Sequence, residues 1–371
     1  METMLPFGLP APTALYLGLY AVTLVAHILM MGYVVAGTAF AGADALLRRR
    51  DATANASAPT VAPLLRDWLP FALGAAITAG VAPLLFVQVL YKRGFYTANL
   101  LLFHRWMALV PVLIIGFYLL YLLKSRFVDG TSASGRRRLA AVAAVAVACF
   151  VFAAWSWTEN HLLSTAGGAW VDMYRSGAMT YREPAVLLRL SVWIGGTFPI
   201  MAALAGLQLA AAERRAGTPA SHSQWRALAA AALAGFAVAA AGAIGYASTL
   251  GDAARDALWS PATQPYAVAA AVAVAAQVVA WLLQLRARAA RSRLATVAAV
   301  AASITVLGVT AVREAIRIAR VDFAALFDQH ARIAASPGLW LFLGCFAVNA
   351  AIIVWLALRV RGELSTASTR R

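Results

Sequence analysis

Runs of about 20 predominantly apolar residues recur from one end of this chain to the other, and crossing a hydrocarbon core of about 30 Å takes a helix of about that length. Nine runs are legible: 13–39, 69–91, 98–123, 139–157, 185–211, 227–248, 265–285, 294–312 and 338–358. The chain is 62% hydrophobic and 12% charged, whereas a soluble domain carries roughly 25% charged residues. Inside a bilayer every backbone N–H and C=O must be paired within the protein, so each run is expected to be a helix. Alternating segments of about ten residues, the mark of an outer-membrane barrel, are missing. The expectation is an all-α polytopic membrane helical bundle of nine transmembrane helices, forming one integral membrane domain over residues 1–371.

The formal charge of +16 could suggest a nucleic-acid partner, but its distribution points elsewhere. One set of alternate connections carries Arg48, Arg49, Arg50, Arg66, Lys124, Arg126, Arg136, Arg137, Arg138, Arg214, Arg215, Arg226, Arg286, Arg288, Arg291, Arg293, Arg359, Arg361, Arg370 and Arg371. These are 20 of the 31 basic residues, accompanied by Asp44, Asp51, Asp67, Asp129, Glu213 and Glu363. The opposite side holds 11 bases and nine acids, so the two faces differ as +14 and +2. Lys and Arg accumulate in cytoplasmic loops, which places the N-terminus outside and the C-terminus in the cytoplasm. The charge is therefore a topology signal with some affinity for anionic lipid. No nucleic-acid partner is expected, and the location implied is a bacterial-type inner (cytoplasmic) membrane.

Several features carry no chemistry. Cys149 and Cys345 both fall within apolar runs, without a CxxC or CxxCH spacing. The first run lacks a basic leader and exceeds 20 residues, so it is expected to be retained. Ala-rich stretches at 227–245, 267–277 and 295–302 suit close helix packing. Residues around 51–63 and 129–136 read as short cytoplasmic loops. No Gly-x-Ser-x-Gly, HExxH or phosphate-binding glycine loop is present, which disfavours a soluble-type hydrolase.

The polar residues of interest lie on the less basic side. His104 and Arg105 follow the short turn around Lys92, Arg93 and Gly94, roughly 8 Å below the end of span 3 at 1.5 Å per residue. Ionisable groups at such depth are expected to face the bundle interior, or, for an arginine, to snorkel to the headgroups. The connection after span 4, "WSWTENHLLSTAGGAWVDMYRSGAMTYREPAVLLRL", carries Glu159, His161, Asp172, Arg175, Arg182 and Glu183, with Arg189 just inside span 5. Its aromatics suggest a lid at the interface. After span 8, "VREAIRIARVDFAALFDQHARIAASP" places Arg313, Arg317 and Arg320 on one helical face, with Glu314 spaced to pair with Arg317. That segment reads as an interfacial amphipathic helix, solvated on its polar face, or as an anion site.

His27 stands apart. It sits about 14 residues into span 1, near the midplane, with Met30 and Met31 following on the same face. It is either a neutral imidazole bonded to a neighbouring helix, or a haem ligand or proton relay. Of the five histidines, only His27 and His104 fall within spans, and their depths differ by roughly 10 Å. Direct pairing of the two on one haem is therefore awkward, which leaves a methionine or an open position opposite the histidine.

Nine spans, an external N-terminus and a histidine in span 1 resemble subunit I of cytochrome bd-type quinol oxidases. The resemblance implies that His27 is the axial ligand of a b-type haem near the outer side. "NHLLSTAGGA", Asn160 to Ala169, keeps the Asn and later Gly-Ala of the family's stretch after span 4, without its Trp, Met, Gln or Pro. Span 5 opens on Pro184-Ala185-Val186, and Arg189 stands where the family has a basic residue. The family's second haem histidine is replaced in "LSVWIGG" by Val192 and Trp193. Span 7 (Tyr266 to Leu285) lacks the family's methionine, and the connection before it, about 15 residues, has no Gly-Arg-Gln-Pro-Trp motif or long quinol loop.

The resemblance implies a membrane-embedded electron-transfer subunit of a respiratory complex. Haem b and quinol are the implied cofactors, with His27 and His104 as haem ligands and Arg105 and Arg189 as haem-propionate or quinol contacts. Glu159, His161, Glu183, Arg313, Glu314 and Arg317 form an outer polar cluster. No metal beyond haem iron is expected. The partners would be the lipid bilayer, other membrane subunits and a periplasmic c-type cytochrome, with competent oxygen reduction by this chain alone disfavoured. The alternatives are a cofactor-free scaffold subunit of a larger respiratory complex and, with less support, a transporter, which would show broken helices or repeat symmetry around a midplane site.

Overall fold

The computed structural model describes residues 3–4, 7–47, 58–128, 130, 132–287 and 292–369. Arg48, Arg49, Arg50, Asp51, Asp129, Arg288, Arg291, Arg370 and Arg371, together with most of the expected loop at 51–63, lie outside the described residues.

The long apolar runs do form helices: α1 (Ala11–Leu47), α2 (Val61–Leu90), α3 (Lys92–Leu101), α4 (Phe103–Lys124), α5 (Ala133–Leu163), α6 (Trp170–Ser176) and α7 (Pro184–Ala216). They continue with α8 (His222–Ser248), α9 (Asp252–Leu258), α10 (Gln264–Arg286), α11 (Ser292–Ile318), α12 (Phe327–Ala334) and α13 (Pro337–Thr369). The one strand pairing among the described residues joins Thr3–Met4 to Leu9–Pro10. Eight helices (α1, α2, α4, α5, α7, α8, α10 and α11) are each long and apolar enough to cross a membrane. A ninth crossing arises if Ala324–Ala334 and Pro337–Ile352, bent by 70° at their break, are counted as one span.

The bundle is organised around α1, which packs against α2, α5, α7 and α11. Small residues let these helices approach closely, since in lipid association rests on packing and not on the exclusion of water. At the α7–α8 crossing a Cβ on Gly195 would lie 2.7 Å from the Gly235 carbonyl oxygen, so both positions require glycine. One apolar core surrounds Leu65, Leu69, Phe150, Met201, Trp225 and Trp281. A second, toward the other end of the bundle, gathers Tyr16, Tyr20, Leu90, Phe95 and Phe323. These are called the Trp225 end and the Tyr91 end.

Three local expectations are corrected. The third run is broken at Leu102 into α3 and α4, so His104 and Arg105 lie in the first turn of α4 and not deep within a span. Glu159 and His161 belong to α5, which continues to Leu163, and not to a loop. Likewise α11 runs to Ile318, and Glu314 and Arg317 are 1% and 2% exposed, so this stretch is no solvated interfacial helix. In both helices the polar groups find partners inside the bundle, so the helix outlasts its apolar run. His330, further along the segment after span 8, is buried in α12, where Nδ1 lies 2.9 Å from the Thr13 hydroxyl of α1.

Candidate functional site

A cavity of about 760 Å³ lies within the bundle, its walls drawn chiefly from α1, α2, α5, α7, α8, α10 and α11. That is the size of a cleft for a cofactor or drug-sized ligand. Most of its lining is apolar, including Leu24, Val35, Leu73, Ile200 and Val306. Pro83 and Pro199 also line it. Each removes one backbone donor from its helix and favours a local bend.

His27 is on this wall. Its Nδ1 lies 2.8 Å from the Ala76 carbonyl oxygen of α2. A carbonyl only accepts, so Nδ1 carries the proton, and in the neutral ring Nε2 keeps its lone pair. None of the described residues hydrogen-bonds Nε2. A carbonyl that fixes the far nitrogen and leaves the other free is the arrangement around metal-bound imidazoles. The contact depends on Gly80, one turn after Ala76: a Cβ there would lie 2.7 Å from His27 Nδ1. Met31, one turn beyond His27, faces the same cavity.

The Tyr91 end of the cavity is cationic. Arg189, Arg313 and Arg317 line it together with His161, Asn160 and Tyr20. Arg313 Nη2 is 2.8 Å from Glu314 Oε1, and the other carboxylate oxygen accepts from the Tyr91 hydroxyl at 2.8 Å. Arg313 also donates to the Tyr20 hydroxyl. Arg317 places its guanidinium 3.6 Å over the Tyr91 ring, within reach of strong cation–π attraction. Its Nη2 donates to Ser164 Oγ at 3.3 Å, while Nε and Nη1 have no partner among the described residues. Arg189 is 6% exposed and lies 5.7 Å over the Tyr246 ring, with no hydrogen bond from the described residues. Tyr20 and His27 are seven residues apart on α1, so the histidine lies about 10 Å along the cavity from this cationic end. The phenol of Tyr91, between the spans, is held well above its ordinary value by burial and then by the Glu314 charge, so it stays protonated and donates.

The remaining residues singled out in the sequence separate from the cavity. Arg105 Nε is 2.8 Å from Glu159 Oε2, a close charge contact without the alignment of a hydrogen bond, and its guanidinium is 5.1 Å over the Trp155 ring. The other Glu159 oxygen accepts from the Tyr181 amide at 2.6 Å, which ties α5 to the segment before α7. Neither His104 nor Arg105 lines the cavity. Glu183 is exposed and lines a smaller cavity of about 250 Å³ with Arg320 and Tyr181. Burial, then Glu183, raises the Tyr181 phenol, and Arg320 opposes the shift. Of the ten site residues expected from sequence, His27, His161, Arg189, Arg313 and Arg317 therefore line one cavity, with Glu314 paired to Arg313 at its cationic end. Gly80, Ala76, Ser164 and Tyr91 were missed, because a backbone carbonyl, a glycine and a single hydroxyl carry no signature until their helices are packed.

Together these features define a polytopic α-helical membrane protein with an internal cavity, apolar along its length and cationic at one end. No family model, curated protein or solved structure matches the chain.

Proposed function

We propose that this protein is a membrane-embedded electron-transfer subunit of a respiratory complex, related distantly to cytochrome bd-type subunit I, whose cavity holds b-type haem. The observation that carries the reading is His27, with Nδ1 committed to the Ala76 carbonyl at 2.8 Å and the ring on the wall of a cavity of about 760 Å³. Haem b would supply one-electron transfer when bound. His27 would hold the iron; Met31, one turn away on α1, and His161, at the cationic end, also line the cavity and are of ligand type. Arg189, Arg313 and Arg317 would orient the acidic edge, and the apolar walls would exclude water and lower the local dielectric. Arg105 is committed to Glu159, so in this reading it positions α4 against α5 and does not touch the cofactor.

In this reading the chain crosses a bacterial inner membrane nine times, with the bent α12–α13 pair as the ninth crossing, the N-terminus outside and the C-terminus cytoplasmic. The Tyr91 end then faces the periplasm, where quinol or a c-type cytochrome exchanges electrons, and other membrane subunits complete the assembly. Scaffolding without a cofactor is the competing reading. It is favoured by the missing family ligands, the histidine replaced in the stretch with Val192 and Trp193 and the methionine lacking from span 7 (Tyr266 to Leu285). A reduced-minus-oxidised spectrum of the purified protein tests the proposal. A sharp b-type α band supports it, and a colourless, fully folded preparation overturns it.

A further inference from the structure

The cationic end of the cavity carries more charge than the described residues neutralise. Among the described residues Arg189, Arg313 and Arg317 face Glu314 alone, and with His161 counted as uncharged two positive charges are left over. Neighbouring ionic groups do not alter this count, because Arg105 is taken by Glu159 and Arg320 shares its small cavity with Glu183. Arginine does not lose its proton at accessible pH. A buried guanidinium without a counter-charge is costly, and here Arg317, 2% exposed, has two nitrogens with no partner among the described residues. The planar fork of a guanidinium matches the paired oxygens of carboxylate or phosphate.

We propose that the Arg189–Arg313–Arg317 cluster binds two acidic groups of one amphiphile whose apolar body occupies the cavity. The ligand is a dianion, which a neutral quinol cannot be. Two sources share this chemistry: a dicarboxylate macrocycle such as haem b, or a lipid with two phosphates such as cardiolipin. The inference rests on the cavity reading above but not on iron ligation by His27.

The test uses the full chain, stripped of bound small molecules in mild detergent. It is titrated with iron-free protoporphyrin IX and its dimethyl ester, and separately with cardiolipin and phosphatidylcholine. Binding is read by porphyrin fluorescence and by the shift in thermal unfolding. In at least one pair the acidic member should bind about tenfold or more tightly than its uncharged or zwitterionic counterpart, and the pair that shows this identifies the source. The preference should vanish in an Arg189→Gln/Arg317→Gln double variant. If that variant does not fold, Arg189→Lys/Arg317→Lys, which keeps charge but loses the fork, should weaken it. Equal binding within both pairs, or a preference that survives both variants, overturns the proposal. Failure of the haem reading shows separately, as a missing α band in a protein that still prefers cardiolipin.

Discussion

Arg317 and Tyr91 form a single stacked unit, the guanidinium 3.6 Å over the phenol ring, while the same tyrosine donates its hydroxyl to Glu314 one turn earlier on α11. That unit binds the end of α2 to α11 and sets the guanidinium at the cationic end of the cavity. The sequence places these two residues 226 positions apart, so their relationship exists only through the fold.

Among the described residues Glu314 is the one carboxylate beside the three cavity arginines, and it is 1% exposed. Its removal should leave Arg313 unpaired and Tyr91 without its acceptor. Breaking a buried pair from one side costs about 3–5 kcal/mol. Glu314→Ala should therefore lower the unfolding temperature in detergent sharply, and Glu314→Gln, which keeps a hydrogen-bond acceptor, should lower it less. Equal melting of wild type and Glu314→Ala would contradict this account of the cluster.

Gly80 is needed because the His27 ring lies where a side chain would begin. Gly80→Ala should push the imidazole away from the Ala76 carbonyl and reduce haem occupancy. Gly74→Ala, on the same helix with open space around it, should leave occupancy unchanged. The α-band intensity per protein, measured for both variants, checks the contrast.

Arg105 and Glu159 should behave as a structural pair. A double-mutant cycle of Arg105→Ala and Glu159→Ala, followed by thermal unfolding, should return a coupling of about 0.5–3 kcal/mol. The haem band of the folded fraction should persist throughout. Additive single effects, or loss of the band with Arg105→Ala, would show that the pair acts otherwise.

Topology can be read with a membrane-impermeant maleimide in a background where Cys149 and Cys345 are replaced by serine. Tyr174→Cys, on the exposed face of α6, should be labelled in intact spheroplasts. Ala216→Cys, exposed at the last residue of α7 where the connection to α8 begins, should be labelled only after lysis. The reverse pattern would invert the assigned orientation.

Much of the architecture is legible in the sequence because length and hydropathy alone decide what can cross a bilayer. Eight of the nine apolar runs each fall on one helix and the third is divided between α3 and α4, while the arginine-rich connections alternate with the others in sequence. Hydropathy fails where a helix carries its polar groups inward. Glu159, His161, Arg313, Glu314 and Arg317 ended their apolar runs, yet α5 and α11 continue through them because Arg105, the Tyr181 amide, Tyr91 and Ser164 supply partners. The break at Leu102 has no glycine or proline at the break to mark it; the nearest glycine is Gly94, eight residues earlier. Its basis is tertiary: α3 packs Phe95 and Ala98 inward, and its Asn99 side chain hydrogen-bonds that of Asn160 in α5 at 2.6 Å.

The central claim is that His27 presents Nε2 to a haem in the cavity. The most direct measurement is the dithionite-reduced-minus-oxidised spectrum of wild type, His27→Ala and His222→Ala, normalised to folded protein. The account predicts a b-type α band in wild type, its loss in His27→Ala and its retention in His222→Ala. A wild-type preparation without the band, or a band undiminished in His27→Ala, would contradict it.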